Sequence, residues 1–114
     1  MIKVGTHRDA GFKVMVESGE WKVGLLRYNE RFSHFAEMER HMQTDEVFVL
    51  LSGAATLHTD TETLAMLQGD IYTVPAAVWH HIVVSEDASV LVVENRNTSK
   101  ENTEKKYFDE KEKD

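Results

Sequence analysis

The feature of this 114-residue sequence that most limits its fold is a series of short apolar runs separated by turn-forming residues. Phe12, Val14 and Val16 alternate with other side chains, and a period of two is typical of a strand with one buried face. Further β-like runs comprise residues 21–28, 47–51, 54–58, 63–67, 71–74, 80–84 and 89–94. Turns that recur about every 8–12 residues, with no convincing helical period in the body of the chain, predict an all-β sandwich or barrel.

Three of the connections between these runs have a recognisable turn composition. Residues 59–62 (Thr-Asp-Thr-Glu) separate two strand-like runs and predict a hairpin connection. Gly53 and Gly69 each follow an apolar run, and we expect both to adopt a positive φ that other residues disfavour. Replacing either glycine with valine is therefore expected to damage folding before function.

Composition divides the chain into two zones. Residues 1–96 hold nearly all the large apolar side chains and carry a charge of −6, from 14 acidic and 8 basic residues. Residues 97–114 carry −1, from 6 acidic residues and 5 lysines, with Tyr107 and Phe108 as their only large apolar side chains. We expect a barrel domain over 1–96 and a charged, solvated C-terminal tail over 97–114. A short helix is the alternative for the tail, because Thr98 and Glu101 have the spacing of a capping box.

Charge and composition exclude several classes of function. A net charge of −7 would repel a phosphate backbone, so we expect no nucleic-acid partner. The chain has no cysteine, which excludes disulfides, thiol catalysis and cysteine-based zinc sites. No apolar run approaches the roughly 20 residues that span a bilayer, and the N-terminus lacks the apolar core of a signal peptide. We therefore expect a cytoplasmic protein with no membrane partner.

The run at residues 47–51 is apolar on both faces of the predicted strand. Phe48 and Leu50 share a side with Glu46, while the residues between them present a second apolar face. One face of a barrel wall packs on the core, so the other needs a cover, either a second sheet or another subunit. In a chain this small, the pattern favours a homodimer as a hypothesis.

Four side chains of the type that ligate metals occur at suggestive positions. Glu39 and His41 are two apart, so in a strand both face the same side. A turn at residues 43–45 could bring Glu46 back beside His41, and His80 opens a later strand. Imidazoles and carboxylates that converge inside a barrel suit a borderline divalent ion. His81 would face away from His80 and is not expected to be a ligand.

The spacing of these residues resembles the two motifs of the cupin superfamily. His41, Glu46 and Gly53 match the first motif, and Gly69, Pro75 and His80 match the second, over residues 33 to 84. The resemblance implies a small double-stranded β-helix, or jelly-roll barrel. Four positions depart from the motifs: Ser33 and Ala77 replace glycines, Glu39 replaces the first histidine, and Val84 replaces the final asparagine.

Carried over to this chain, the cupin metal set is Glu39, His41, Glu46 and His80. Two imidazoles with two carboxylates favour Mn²⁺, Fe²⁺, Ni²⁺ or Zn²⁺ over copper. Two alternatives stay open: Glu39 turned outward, toward Arg40 or solvent, and His80 as a hydrogen-bonded core residue.

Two classes of function remain open. One is a cupin that binds a divalent metal ion and acts on or binds a small metabolite. The other is a metal-free ligand-binding or structural cupin without turnover. The sequence does not select a reaction or a substrate, because fold does not imply function.

Overall fold

The computed structural model describes residues 1–107 and contains ten β-strands and two short 3-10 turns. The strands in chain order are β1 (Gly11–Ser18), β2 (Trp21–Arg27), β3 (Glu37–His41), β4 (Glu46–Ser52), β5 (Ala55–Thr59), β6 (Thr63–Ala65), β7 (Ile71–Val74), β8 (His80–Val84), β9 (Ser89–Asn95) and β10 (Thr103–Tyr107). The 3-10 turns span Glu30–Phe32 and Lys100–Asn102. No helix in residues 1–107 is long and apolar enough to cross a membrane.

The strands form two five-stranded sheets whose strand pairs are all antiparallel. The first sheet has the order β1-β2-β9-β4-β7, and the second has the order β10-β3-β8-β5-β6. Consecutive strands such as β3 and β4 lie in different sheets, as do β8 and β9. This arrangement confirms the predicted all-β jelly-roll barrel.

The core lies between the inward faces of the two sheets. On β9, Val90 and Val92 are fully buried, and the opposite strand β4 contributes Phe48 and Leu50. The second sheet contributes inward residues of β5 and β8, of which Ile82 is 3 % exposed. The period of two predicted for these strands therefore places one row of side chains in the core.

The predicted connections are present at the expected places. The hairpin joins β5 to β6 through residues 60–62, and the backbone N–H of Thr59 donates to the carbonyl oxygen of Glu62. Gly53 has a φ of 73° and Gly69 a φ of 86°, which confirms that both occupy the left-handed region.

The surroundings of the two glycines predict unequal effects on stability. A Cβ at Gly53 would lie 2.6 Å from the Cα of Ala88, whereas a Cβ at Gly69 would meet nothing within 4 Å. We expect Gly53→Val to lower the free energy of unfolding by about 3–4 kcal/mol, since it adds a backbone clash to the left-handed strain. Gly69→Val should cost about 1–2 kcal/mol from the strain alone. Denaturant unfolding of both variants tests this, and equal losses would contradict it.

The C-terminal segment differs from the sequence prediction. Up to Tyr107 it is not a solvated tail, because β10 pairs with β3 from Thr103↔His41 to Tyr107↔Glu37. The helical alternative shrinks to one 3-10 turn, whose capping box uses Ser99 and Asn102 instead of Thr98 and Glu101. Backbone pairing at a sheet edge stabilises this strand, and burial contributes little, so its polar composition did not reveal it. Phe108 lies outside the described residues, and the domain division at residue 96 stays a prediction.

Candidate metal and ligand site

The candidate site lies where the inward faces of both sheets meet. Glu39 and His41 come from β3, and the register pairs Glu39 with His80 of β8. Glu46 opens β4 of the other sheet, after a connection that crosses between the sheets. The connection over residues 42–45 returns Glu46 to His41 by crossing to the other sheet.

The structure brings the four predicted side chains together. His80 Nε2 lies 2.8 Å from Glu46 Oε1, and His41 Nε2 lies 3.2 Å from the same oxygen. Glu39 Oε1 lies 3.7 Å from His41 Nε2. Glu39 therefore faces inward, as the residue-by-residue comparison with the cupin motifs implied.

A fifth ligand-type residue, Glu94, was missed by the sequence analysis. It lies on β9 directly opposite Glu46, and its Oε2 is 3.9 Å from His41 Nε2. A signal was available, because Val90, Val92 and Glu94 share the inward face of the strand. A carboxylate at the end of that buried row points to the same cavity as the other four.

The two imidazoles are held with one nitrogen toward the cavity. His80 Nδ1 donates to the carbonyl oxygen of Val78 at 2.9 Å, which leaves Nε2 to face Glu46. His41 Nδ1 is 2.9 Å from the hydroxyl of Thr103 on β10. Such partners fix the orientation of a ligating imidazole in metal sites. Thr103 is therefore a positioning residue supplied by the segment that was expected to be a tail.

Burial and mutual charge separate the pKa values of the site. Burial opposes ionisation of Glu46, but the hydrogen bond with His80 and the close approach and attraction of both imidazoles outweigh it and lower its pKa to about 2. Burial raises the pKa of Glu94, and the adjacent carboxylate of Glu46 raises it further, to about 8. For His41, burial opposes protonation, but Glu46 and the other nearby carboxylates raise its pKa above the ordinary value. In the metal-free cluster Glu46 is thus the ionised carboxylate beside the imidazoles, while Glu94 keeps its proton up to about pH 8.

Two buried atoms of the cluster lack a hydrogen-bond partner among the described residues. They are His41 Nε2 and Glu94 Oε2, and both lie beside Glu46. Donor atoms within 4.8 Å of one another form two overlapping groups that share His41. One group contains Glu39, His41 and His80, and the other contains His41, Glu46 and Glu94. Orphaned nitrogen and oxygen donors at this spacing fit a divalent cation.

Arg31 stands at the mouth of the cavity and binds two carboxylates of β3. Its Nη2 lies 2.9 Å from Glu39 Oε2, and its Nε lies 3.0 Å from Glu37 Oε1. The alternative contact of Glu39 with Arg40 is not formed, because Arg40 pairs with Glu104 on the outer face. The 3-10 turn at Glu30–Phe32, capped by the side chain of Asn29, holds Arg31 in place.

The cavity inside this mouth is small. Its volume is about 90 Å³, and its apolar wall includes Leu26, Phe48 and Val92. His81 lies on the opposite side of β8 from His80, as predicted, in register with His58, and Phe35 stacks against both rings. It is nevertheless buried and is one of the residues that border the cavity.

A protein-family model matches the part of the chain that contains the candidate site. The family model described as "Cupin domain" matches residues 33–94, which is 62 of the 114 residues. The chain belongs to the cupin family. The matched range of this cupin contains Glu39, His41, Glu46, His80 and Glu94. No curated protein matches the chain.

Several solved structures share the fold of this cupin. A cupin-2 domain protein from Shewanella frigidimarina superposes with a TM-score of 0.66 at 21% identity, over 80% of this chain and 85% of the other. Pac13, described as a nucleoside dehydratase, gives a TM-score of 0.73 at 14% identity, over 95% and 93%. KdgF from Halomonas sp. gives 0.61 at 16% identity, over 82% and 87%. At these identities, the similarity establishes the fold and leaves activity open.

Proposed function

We propose that this cupin binds a divalent metal ion inside the barrel and uses it to bind or act on a small metabolite. The observation that carries the proposal is a pair of buried donor atoms beside Glu46, His41 Nε2 and Glu94 Oε2, that form no hydrogen bond within residues 1–107. A buried polar atom without a partner is costly, and a cation would satisfy both atoms at once.

The proposed ligands are Glu39, His41, Glu46 and His80, with Glu94 as a further oxygen donor. This mixture of imidazole and carboxylate suits Mn²⁺, Fe²⁺, Ni²⁺ or Zn²⁺. When bound, the ion would supply a Lewis acid that polarises an oxygen atom of the metabolite. Arg31 would hold Glu39 in orientation, and Thr103 would do the same for His41.

Metal analysis of the purified protein tests this proposal. Protein prepared without a chelator should carry about one transition-metal ion per chain, and dialysis against a chelator should remove it. Mass spectrometry of acid-digested samples gives the metal and its stoichiometry. If no transition metal is present and none binds on addition, the metal-binding function is wrong.

The metal-free ligand-binding cupin remains the second candidate, and specific contacts favour it. Glu46 already bonds His80 at 2.8 Å, and Glu39 already pairs with Arg31 at 2.9 Å. Glu46 and Glu39 therefore have partners even when no ion is bound. In that case the same cavity would bind a metabolite through hydrogen bonds, and the chain would show no turnover.

We also propose that a second copy of the chain covers the outer face of the first sheet. The register places Val16, Val23, Val93 and Val47 side by side on four neighbouring strands of that face. The next row contains Leu25, Leu91, Val49 and Ile71. Ile71 is 73 % exposed and Val16 is 46 % exposed. An apolar sheet face with no charge at its centre suits a symmetric interface.

Sedimentation at micromolar concentration tests the homodimer. We expect a dimer in the wild type, and Val47→Asp should shift the protein to a monomer, because it places a charge at the centre of the face. Thr56→Asp, on the outer face of the second sheet, is the control and should leave the dimer intact. A monomeric wild type would contradict the proposal. The cytoplasmic location stays a prediction.

A further inference from the structure

A wide groove continues from the small inner cavity to the protein surface. Its volume is about 610 Å³, and it shares Phe12, Arg31, Glu39 and His41 with the inner cavity. The other wall is built by the C-terminal segment, from residue 98 to residue 107. The groove is therefore the outer part of the same site.

The sizes of the two spaces show where a ligand must lie. Ligand pockets are commonly about 300–1,000 Å³, and the inner cavity of about 90 Å³ is far below this range. A metabolite that reaches His41 and Glu39 must therefore place most of its atoms in the outer groove. The groove then decides which class of metabolite the site accepts.

The lining of the groove is basic in a protein with a net charge of −7. Lys105 lies opposite Glu39 in the ladder and Tyr107 lies opposite Glu37, so both are on the side of β10 that faces the site. Lys100 lines the groove from the preceding 3-10 turn. Neither lysine ammonium forms an ion pair within residues 1–107.

Two of the acidic groups near these lysines already pair with arginines, and Glu101, next to Lys100 on the same 3-10 turn, does not line the groove. The carboxylate of Glu39 pairs with Arg31, and Glu104 faces the other side of β10, where it pairs with Arg40. The hydroxyl of Tyr107 makes no hydrogen bond among the described residues, and its side chain is 70 % exposed. Two unpaired ammonium groups and a phenol hydroxyl thus present donors to the groove.

We propose that the outer groove binds the anionic end of the ligand, a carboxylate or a phosphate, through Lys100, Lys105 and Tyr107. The opposite end of the ligand enters the inner cavity, and this part rests on the proposed function. Phe12, at the junction of the two spaces, contacts the apolar middle of the ligand. The positive groove is a local exception to the acidic surface, and it selects monoanionic and dianionic metabolites over neutral ones.

An NMR titration of the metal-free, full-length protein tests the anion site. Inorganic phosphate and sodium acetate are added separately, at low ionic strength, to ¹⁵N-labelled protein that has been treated with a chelator. We expect at least one anion to produce saturable shifts in the backbone amides of residues 98–107. The anion with the lower Kd identifies whether the site prefers phosphate or carboxylate.

A pair of charge-matched double variants tests the role of the two lysines. Lys100→Gln with Lys105→Gln should raise the Kd of that anion about tenfold, because two charged donors are removed. Lys3→Gln with Lys106→Gln removes the same charge, but Lys106 lies over the ring of Trp79 on the opposite side of β10. This control should leave the Kd within about twofold of the wild type, because neither Lys3 nor Lys106 lines the groove.

Three results would overturn the inference: shifts that do not saturate, shifts outside the groove, or equal weakening by the two double variants. The protein is metal-free throughout, so a failure of the metal proposal leaves this result unchanged. Conversely, loss of the anion site would leave the metal analysis unaffected.

Discussion

Replacing Glu46 with glutamine is expected to lower the affinity for Mn²⁺ or Ni²⁺ by about 100-fold or more. Loss of groups that only support a metal ligand costs about 10–100-fold, and Glu46 contacts both imidazoles directly. Glutamine has nearly the same volume as glutamate but no charge, so the substitution removes the charge without leaving a void. Titration calorimetry on chelator-treated protein measures the change.

The control for this variant is Glu104→Gln, which makes the same substitution on the outer face of β10. Glu104 pairs only with Arg40 and lies outside the cavity. We expect the Glu104→Gln variant to bind metal with the affinity of the wild type. His80→Ala should also abolish binding, and His81→Gln, one residue along the same strand, should retain it. Wild-type affinity in Glu46→Gln would remove this carboxylate from the ligand set.

Replacing Glu94 with glutamine is expected to stabilise the metal-free protein at pH 8 by up to about 4 kcal/mol. Burial and the neighbouring Glu46 raise the pKa of Glu94 from 4.5 to about 8. Between these pH values the unfolded chain has lost the proton while the folded protein keeps it. The stability that Glu94 contributes is therefore fully present below pH 4.5 and is lost as the pH rises to 8. A neutral glutamine removes this loss.

Thermal unfolding in the presence of a chelator measures this effect at pH 5 and pH 8. The difference in Tm between Glu94→Gln and the wild type should be several degrees at pH 8 and close to zero at pH 5. His41 also has a raised pKa, to which Glu94 contributes, so the difference between the two proteins includes the change that the substitution causes in the titration of His41. Identical pH profiles for the two proteins would show that Glu94 ionises normally. The same substitution should weaken metal binding if Glu94 Oε2 is a ligand.

Most of the barrel was predictable because its strands bury one face. The continuous apolar run at residues 47–51 predicted β4, and turn residues marked where strands end. β10 was not predictable by this rule, because its residues pair with the backbone of β3 and bury little surface. Edge pairing of this kind depends on an available partner strand, which local sequence does not reveal.

The candidate site was also predictable only in part. Glu39, His41, Glu46 and His80 have a recognisable spacing. Glu46 precedes one predicted strand and His80 opens another, whereas β3, which carries Glu39 and His41, was not among the predicted runs. Glu94 could have been found from the inward row of β9, but no spacing linked it to the other residues. Only the register between β4 and β9 places Glu94 opposite Glu46.

Local sequence determined which segments are extended and which residue types they carry toward the core, because a period of two and turn chemistry act over a few residues. Tertiary structure decided which carboxylates lie side by side, and it brought Thr103 to His41 across 62 positions. It also placed Lys105 beside the mouth of the cavity. These contacts depend on sheet order and register, and the free energy that selects them comes from the whole barrel.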